Sequence, residues 1–318
     1  MEGRAGKALN VEASDGPVHR PIMLAEVLRC LRPAPGDTAV DCTLGGGGHA
    51  RAMLDAIVPG GRLIGLDADP IELPRTIARL RDSGYGPGVF QARHANFADL
   101  PRVLAAEGIA AVDDVLVDLG TSAMQHGIAA RGFNYKRPGP LDLRMDPTRG
   151  ETAAALIARL DAAAIERLLV DNADEPHAAT IARLLEQRPV ATTHALERVV
   201  RLGLVAARPE LPKADVRMSV RRTFQALRIA VNDELRALDT LLAALPSCLA
   251  PGGRVAVLTF HSGEDRRVKQ AFGQGHRAGV YADIARVVIR SGKAETFADR
   301  RAAAAKLRWA VRAGRRDS

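Results

Sequence analysis

The chain has 318 residues, 47% of them hydrophobic and only 3% aromatic, with a formal charge of +8 at pH 7. That length accommodates one large α/β domain, or a domain with a smaller companion, around a core of Ala, Leu, Val and Ile. No apolar run approaches the roughly 18 to 20 residues of a membrane span, and no apolar centre of a secretory signal opens the chain.

Residues 1–17 are polar and Gly/Ala-rich and read as a disordered tail. Thr38–Leu44 is an apolar strand candidate that runs straight into Gly45-Gly-Gly-Gly48, and a helix over Ala50–Ile57 begins at about His49. Glycines at such a junction let the backbone take φ > 0 and bring a bound group against bare N–H donors. The next strand, from Arg62, ends in Asp67 about 20 residues after the loop, where a carboxylate can accept both hydroxyls of a ribose. A helix over Ile71–Arg81, a strand over Val89–His94, a helix over Leu100–Glu107 and a strand over Asp114–Leu119 follow. This alternation predicts a parallel sheet covered by helices.

The alternation breaks between about Asp146 and Val220, where apolar pairs recur at helical spacing: Leu156/Leu160, Ile165/Leu169, Ile181/Leu185 and Leu196/Val200. The spacing predicts an all-helical insertion over 146–220, either a stabilising cap or a lid over a substrate cleft. Residues 18–145 and 221–318 then form the main domain. Beyond the insertion lie a helix over Asp233–Leu245, the turn Pro251-Gly-Gly253 and a strand over Arg254–Phe260. Two weaker strands are expected over Ala285–Ile289 and Lys306–Val311. Ala285–Ser318 carries ten Lys or Arg against three acids, which is either a solvated surface or a site for a polyanion. Cys30, Cys42 and Cys248 lack paired spacing, so neither a disulfide framework nor a metal site is expected, and a reduced, cytoplasmic setting is natural.

A Gly-rich loop after a strand serves phosphates, dinucleotides and nucleosides alike. No Gly-Lys-Ser/Thr is present, no Tyr has a Lys four residues on, and a histidine stands where a dinucleotide fingerprint needs a small residue. A methyl donor without phosphate, S-adenosylmethionine, fits best. Phe97 reads either as an adenine-stacking ring or as core, and His49 either as a helix-start residue or as a cofactor contact. Asp118 ends an apolar strand, where a charge is costly unless it binds something.

Several strings resemble the successive motifs of the bacterial MraW methyltransferase family, also called RsmH. They are His19-Arg-Pro-Ile-Met-Leu24, Asp41–His49, Arg62–Pro70, Asp118-Leu-Gly120, Arg131-Gly-Phe133, Gly139–Pro147, Arg222–Asn232 and Phe260–Arg266. The resemblance runs from about His19 to Arg312 with the motifs in the same order. It implies a class I (Rossmann-like) methyltransferase with a mostly parallel seven-stranded α/β sheet, its last strand antiparallel. The implied activity is N4-methylation of a cytidine in the decoding region of small-subunit ribosomal RNA, with S-adenosylmethionine as methyl donor. The substrate would be the RNA or the assembled small subunit, without membrane involvement; a homodimer is left open. Two alternatives are another RNA or DNA base, and a non-catalytic RNA- or ribosome-binding protein of the same fold.

Carried over to this chain, the family's cofactor contacts fall on Gly47, Gly48, His49, Asp67, Phe97, Asp118 and Gln125. The cytosine amine is a poor nucleophile because its lone pair is delocalised, and a carboxylate accepting its N–H would help. Asp118 and Asp142 are the candidates, although Asp142-Leu-Arg-Met-Asp146 also reads as an ion-pair cluster ordering a loop. His261 would touch the base or shape its loop. RNA contact would fall to Arg217, Arg221, Arg222 and Arg228 and to the basic C-terminus, with Tyr135 and Trp309 as possible stacking surfaces; for Trp309 the core reading is favoured. Departures lie mostly on the acceptor side. Thr121-Ser-Ala-Met-Gln125 stands where the family usually has Val-Ser-Ser-Pro-Gln, and Ala298–Ala303 replaces an Asn-Pro-Arg-Ser-Arg-Ser string.

Overall fold

Strand β1 (Thr38–Asp41) is buried from Ala39 onward, has no face to offer water, and accordingly lies inside a parallel sheet. It pairs with β2 (Arg62–Asp67) on one side and β4 (Val112–Asp118) on the other, while β3 (Phe90–His94) extends β2 and β5 (Leu249–Thr259) extends β4. The computed structural model describes residues 21–314. The expected tail 1–17, His19 and Arg20 of the first motif, and Arg315 and Arg316 lie outside the described residues.

The sheet runs β3-β2-β1-β4-β5-β8-β6, with β8 (Lys306–Arg312) antiparallel to β5. The expected mostly parallel sheet with its antiparallel β8 is present, and it has eight strands where seven were expected. The expected strand over Ala285–Ile289 is corrected. The far edge of β8 takes β6 (Tyr281–Ile284) and the two-residue β7 (Ile289–Arg290), interrupted between them. Tyr281 is buried against Phe272, with ring centroids 5.5 Å apart, so the edge is anchored earlier than the apolar run suggests. Val287, inside that run, is 78% exposed because an edge segment has no second neighbour to cover it.

Side-chain alternation divides the core between the two faces of the sheet. Val115, Val117, Val255 and Val257 pack under α4 (Leu100–Ala106), α11 (Glu234–Cys248) and α12 (Ser262–Arg277). Leu116, Ala256 and Leu258 face the opposite way, toward α1 (Leu24–Leu31), α2 (Gly48–Ile57) and α3 (Glu72–Asp82).

After β4 and the short α5 (Ala123–Gly127), the chain leaves the sheet for five helices. These are α6 (Ala153–Arg159), α7 (Ala162–Ala173), α8 (Ala178–Glu186), α9 (Thr193–Ala207) and α10 (Lys213–Asn232). Thr152, Asp161 and Thr192 cap α6, α7 and α9 with their side-chain oxygens, satisfying N–H groups left free at a helix start. The helices bury their own cluster, including Ile165, Leu169, Ile181, Leu185, Leu196 and Val200, together with Phe133, Leu141 and Leu143 from the preceding loop. Helix α10 continues past residue 220 to Asn232 and turns at Asp233 (φ 52°) directly into α11. The helical unit and the sheet therefore share a rigid element instead of meeting at a linker. The last helix, α13 (Lys293–Ala298), precedes β8.

Candidate active site

The carboxyl ends of β1, β2 and β4 open on a cleft of about 1650 Å³, where ligands of open α/β sheets bind. One wall is the loop Gly45–Gly48 with Asp67, Phe97 and Asp118, and the facing wall includes Arg144, Asp146, Arg228 and Asn232.

The glycine loop is tight. Gly47 has φ 76°, and a Cβ there would lie 2.8 Å from Thr76 Cγ2; one on Gly48 would lie 3.0 Å from Pro21 Cδ. Thr76 Oγ1 donates to the Gly45 carbonyl (2.5 Å), and Gly45 N–H donates to Asp67 Oδ2 (2.7 Å). Asp69 N–H donates to Asp67 Oδ1 (2.8 Å). Burial pushes the Asp67 carboxyl up to about 6, against the pull of these two N–H groups. Each oxygen has a further lone pair beyond the one these N–H groups use, and Asp67 lines the cleft.

Asp118, at the end of β4, is anchored through its N–H to Thr43 Oγ1 (2.7 Å). Its Oδ1 has no hydrogen-bond partner among the described residues, and Oδ2 lies 3.6 Å from His49 Nδ1. Burial pushes this carboxyl up to about 7; the charge of Glu264 raises it further and that of Arg301 opposes. His49 Nε2 is 3.0 Å from the Ile22 carbonyl. A carbonyl only accepts, so Nε2 carries the proton and Nδ1 turns its lone pair to Asp118. Burial holds the imidazole below its ordinary value. His49 does not cap α2, whose N-cap is Gly47; it links the chain entry at Ile22 to Asp118.

The cleft's two walls are joined through Asp69, Arg131 and Asn232, none of them among the expected site residues. Asp69 is 1% exposed and accepts from Gln125 Nε2 (2.9 Å) and Arg131 Nη1 (2.8 Å). Arg131 Nη2 donates onward to the carbonyls of Arg144 (3.0 Å) and Met145 (2.7 Å). Asn232 completes the clamp, donating to the Leu143 carbonyl and accepting from Met145 N–H (both 2.7 Å). Leu143 is thereby held at φ 65°, an αL conformation unusual for Leu. Asp69, Arg131 and Asn232 all stand in the motif strings, but Asp69 and Arg131 are 62 residues apart and Asn232 is 87 residues from Met145, which spacing alone does not reveal.

Other expected site residues divide. Phe97 lines the cleft and also packs against the sheet core. Gln125 lines the cleft too, with Oε1 taken by Ser122 N–H in a capping box and Nε2 by Asp69. Asp142 does not line the cleft. Arg144 Nε and Nη2 hold its two oxygens at 2.7 and 2.8 Å, and these bonds outweigh burial to keep the carboxyl below its ordinary range. It is the loop-ordering ion pair. His261 caps α12 and lies 3.0 Å from Glu264 Oε1, outside the cleft lining.

Arg228 lines the cleft but is bound by both oxygens of Glu234 (2.8 and 2.9 Å). Arg217 and Arg221 are exposed and Arg222 half-buried. Arg217, Arg221 and Arg228 lie within about 40° of one another around α10, forming a basic stripe that ends in the cleft. Tyr135 packs on Phe224 (centroids 5.2 Å apart) in the helical core, and Trp309 is part-buried in β8.

A mostly parallel α/β sheet with β8 antiparallel and a cleft at the carboxyl ends of its strands is a Rossmann-like arrangement. Residues 17–313 match the family model described as the MraW methylase family. The chain is 41% identical over 312 residues to "Ribosomal RNA small subunit methyltransferase H 2" of Alkaliphilus metalliredigens, covering 96% of this chain and 89% of that protein. It is 49% identical over 256 residues to "Ribosomal RNA small subunit methyltransferase H" of Myxococcus xanthus, covering 80% and 79%. A solved structure, a putative rRNA-methylase from Clostridium thermocellum, aligns with TM-score 0.43 at 12% identity over 91% of this chain and 95% of that one. The chain belongs to the MraW methylase family, and it is a methyltransferase whose methyl donor is S-adenosylmethionine. No helix among the described residues is long and apolar enough to cross a membrane.

Proposed function

We propose that the protein methylates the exocyclic amine of a cytidine in the decoding region of small-subunit ribosomal RNA, as naked RNA or in the assembled subunit. The observation that carries this reading is Asp118, a carboxylate at the end of β4 that lines the cleft with its side chain 27% exposed, Oδ1 buried without a partner among the described residues and Oδ2 beside His49. The names of the relatives, ribosomal RNA small subunit methyltransferases, supply the acceptor class.

Asp67 would hold the ribose and the N–H groups of the glycine loop the amino-acid end of the donor, while Phe97 would cover the adenine. When bound, the donor supplies an electrophilic methyl on a sulfonium. Asp118 accepts an N–H of the cytosine amine, which returns electron density to that nitrogen. As the N–CH3 bond forms and the S–CH3 bond breaks, the displaced proton passes to Asp118. Alignment of the two reactants between walls fixed by Arg131 and Asn232 supplies much of the rate.

The test is incubation of the purified protein with a labelled methyl donor and small subunits lacking the modification, followed by nucleoside mapping. Label is expected on a single cytidine amine with wild type and should largely disappear with Asp67→Ala, whose heat of donor binding should also vanish. Label on a different base would overturn the acceptor, and no label with intact donor binding would overturn RNA methylation altogether. The stripe on α10 makes a separate prediction. Arg217→Ala combined with Arg221→Ala should raise KM for RNA with little change in kcat, and lower the salt dependence of binding by about one unit for each phosphate no longer held. An unchanged salt slope would remove these residues from the RNA path.

A further inference from the structure

The basic C-terminal segment divides into cations that are used internally and cations that are not. Asp265 holds Lys306 (3.1 Å) and Arg308 (2.7 Å), Arg312 donates to the carbonyls of Pro246 and Val280 (3.0 and 2.9 Å), and Arg301 pairs with Asp299. Arg290, Lys293 and Arg300 are exposed and make no side-chain hydrogen bond or ion pair with any described residue. Among them stands Phe297, 93% exposed, the most exposed of the large hydrophobics among the described residues, in a chain with only seven Phe, three Tyr and one Trp. A scarce aromatic left in water forgoes the burial that ordinarily decides its place.

The segment is firmly placed at the rim of the cleft. Glu295 Oε1 accepts from Met23 N–H (2.6 Å), next to the Ile22 carbonyl that holds His49. Ser291 Oγ donates to the Ala302 carbonyl (2.7 Å), and Arg301 lines the cleft itself. Phe297 follows the anchoring Glu295 by two residues, about 200° around α13, and so turns away from the anchor.

We propose that Phe297, with Arg290, Lys293 and Arg300, is a stacking platform for a nucleotide that flanks the target base in single-stranded RNA. The proposal rests on the reading above that the acceptor is an RNA base. A base that enters the cleft must leave its stack, so its neighbours in the strand lie across the rim with their faces uncovered. An aromatic ring takes a base face without regard to sequence, and unpaired cations take the adjoining phosphates. A second copy of the chain fits this surface poorly. A two-fold contact centred on Phe297 would set Arg290, Lys293 and Arg300 against their own equivalents.

The experiment compares wild type, Phe297→Ala and Phe297→Trp. It measures affinity for a fluorescein-labelled single-stranded RNA spanning the acceptor region, methyl transfer to unmodified small subunits, donor binding by calorimetry, and sedimentation. Phe297→Ala should weaken RNA binding and lower kcat/KM for RNA roughly 5- to 50-fold, with donor affinity and kcat at saturating RNA unchanged. Phe297→Trp should restore affinity, and its indole emission should be quenched as RNA is added. Equal RNA affinity of Phe297→Ala and wild type would overturn the platform while leaving RNA methylation standing. A change in sedimentation with RNA affinity unchanged would reassign the surface to contact between copies. Failure of the wild type itself to bind RNA or label subunits would remove both this proposal and the reading beneath it.

Discussion

Asp118→Asn is expected to reduce methyl transfer roughly 100- to 10,000-fold, the range associated with a positioned general base, while donor binding persists. The amide keeps the size of the carboxyl but cannot accept the displaced proton. The pH profile provides the sharper check. With the carboxyl pushed up to about 7 in the free protein, Asp118 is protonated and unable to accept below that pH. Wild-type kcat/KM should therefore rise about tenfold per unit toward pH 7 and level off above it, and the residual activity of Asp118→Asn should lack that limb. The positive charge of a bound sulfonium favours the carboxylate, so the corresponding limb in kcat should lie at lower pH. Stability moves in the opposite direction. A carboxyl whose value is raised on folding stabilises the protein at low pH, and that contribution is lost as pH climbs from 3.8 through about 7. Asp118→Asn should consequently melt no lower than wild type at pH 8, which distinguishes a disabled site from a misfolded one. A wild-type profile flat between pH 5.5 and 8 would rule out Asp118 as the proton acceptor.

Arg131→Met should be the most damaging substitution for stability. It removes the partner of Asp69, which is 1% exposed, and leaves that carboxylate buried with Gln125 Nε2 and the Ile71 N–H as its remaining donors. Breaking such a pair from one side typically costs about 3–5 kcal/mol, a fall in Tm on the order of 10 °C for a domain of this size. The same substitution frees the carbonyls of Arg144 and Met145, so one wall of the cleft loses its tie to the other. Adding Asp69→Asn should recover part of the stability, because the stranded charge is gone, without restoring activity, because the clamp is still missing. Thermal melts of the two single variants and the double variant supply the cycle. Strict additivity would show that the pair is not coupled.

Much of this protein was legible as sequence, for a physical reason that applies to particular residues. β2 falls where expected, at Arg62–Asp67, because a strand buried on both faces is a continuous apolar run. The glycine loop was legible because only glycine tolerates the φ of Gly47 together with the 2.8 Å approach of Thr76. The spacing from that loop to Asp67 is fixed by one helix and one strand, so it survives as a number in the chain. The helical period of the apolar residues was legible, and α10 runs on through residue 220 to Asn232. Ala285–Ile289 misled because an apolar run carries no sign of whether a sheet edge has anything to cover it.

What folding alone decided is pairing at a distance. Asp142 and Asp118 were equal candidates as acids in motif strings. They differ because Arg144 folds back onto the first, whereas the second ends a strand in a cleft with one oxygen unmatched. Arg228 and Arg217 share a helical stripe, yet Glu234 occupies one and leaves the other exposed. The network of Asp69, Arg131 and Asn232 was present only as letters. Local physics writes backbone conformation, burial period and short-range spacing into the chain, so the sequence by itself determined the sheet and the glycine loop. Ion pairs and hydrogen bonds across 60 to 90 residues form only when the walls meet, so the tertiary structure decided which acid lines the cleft.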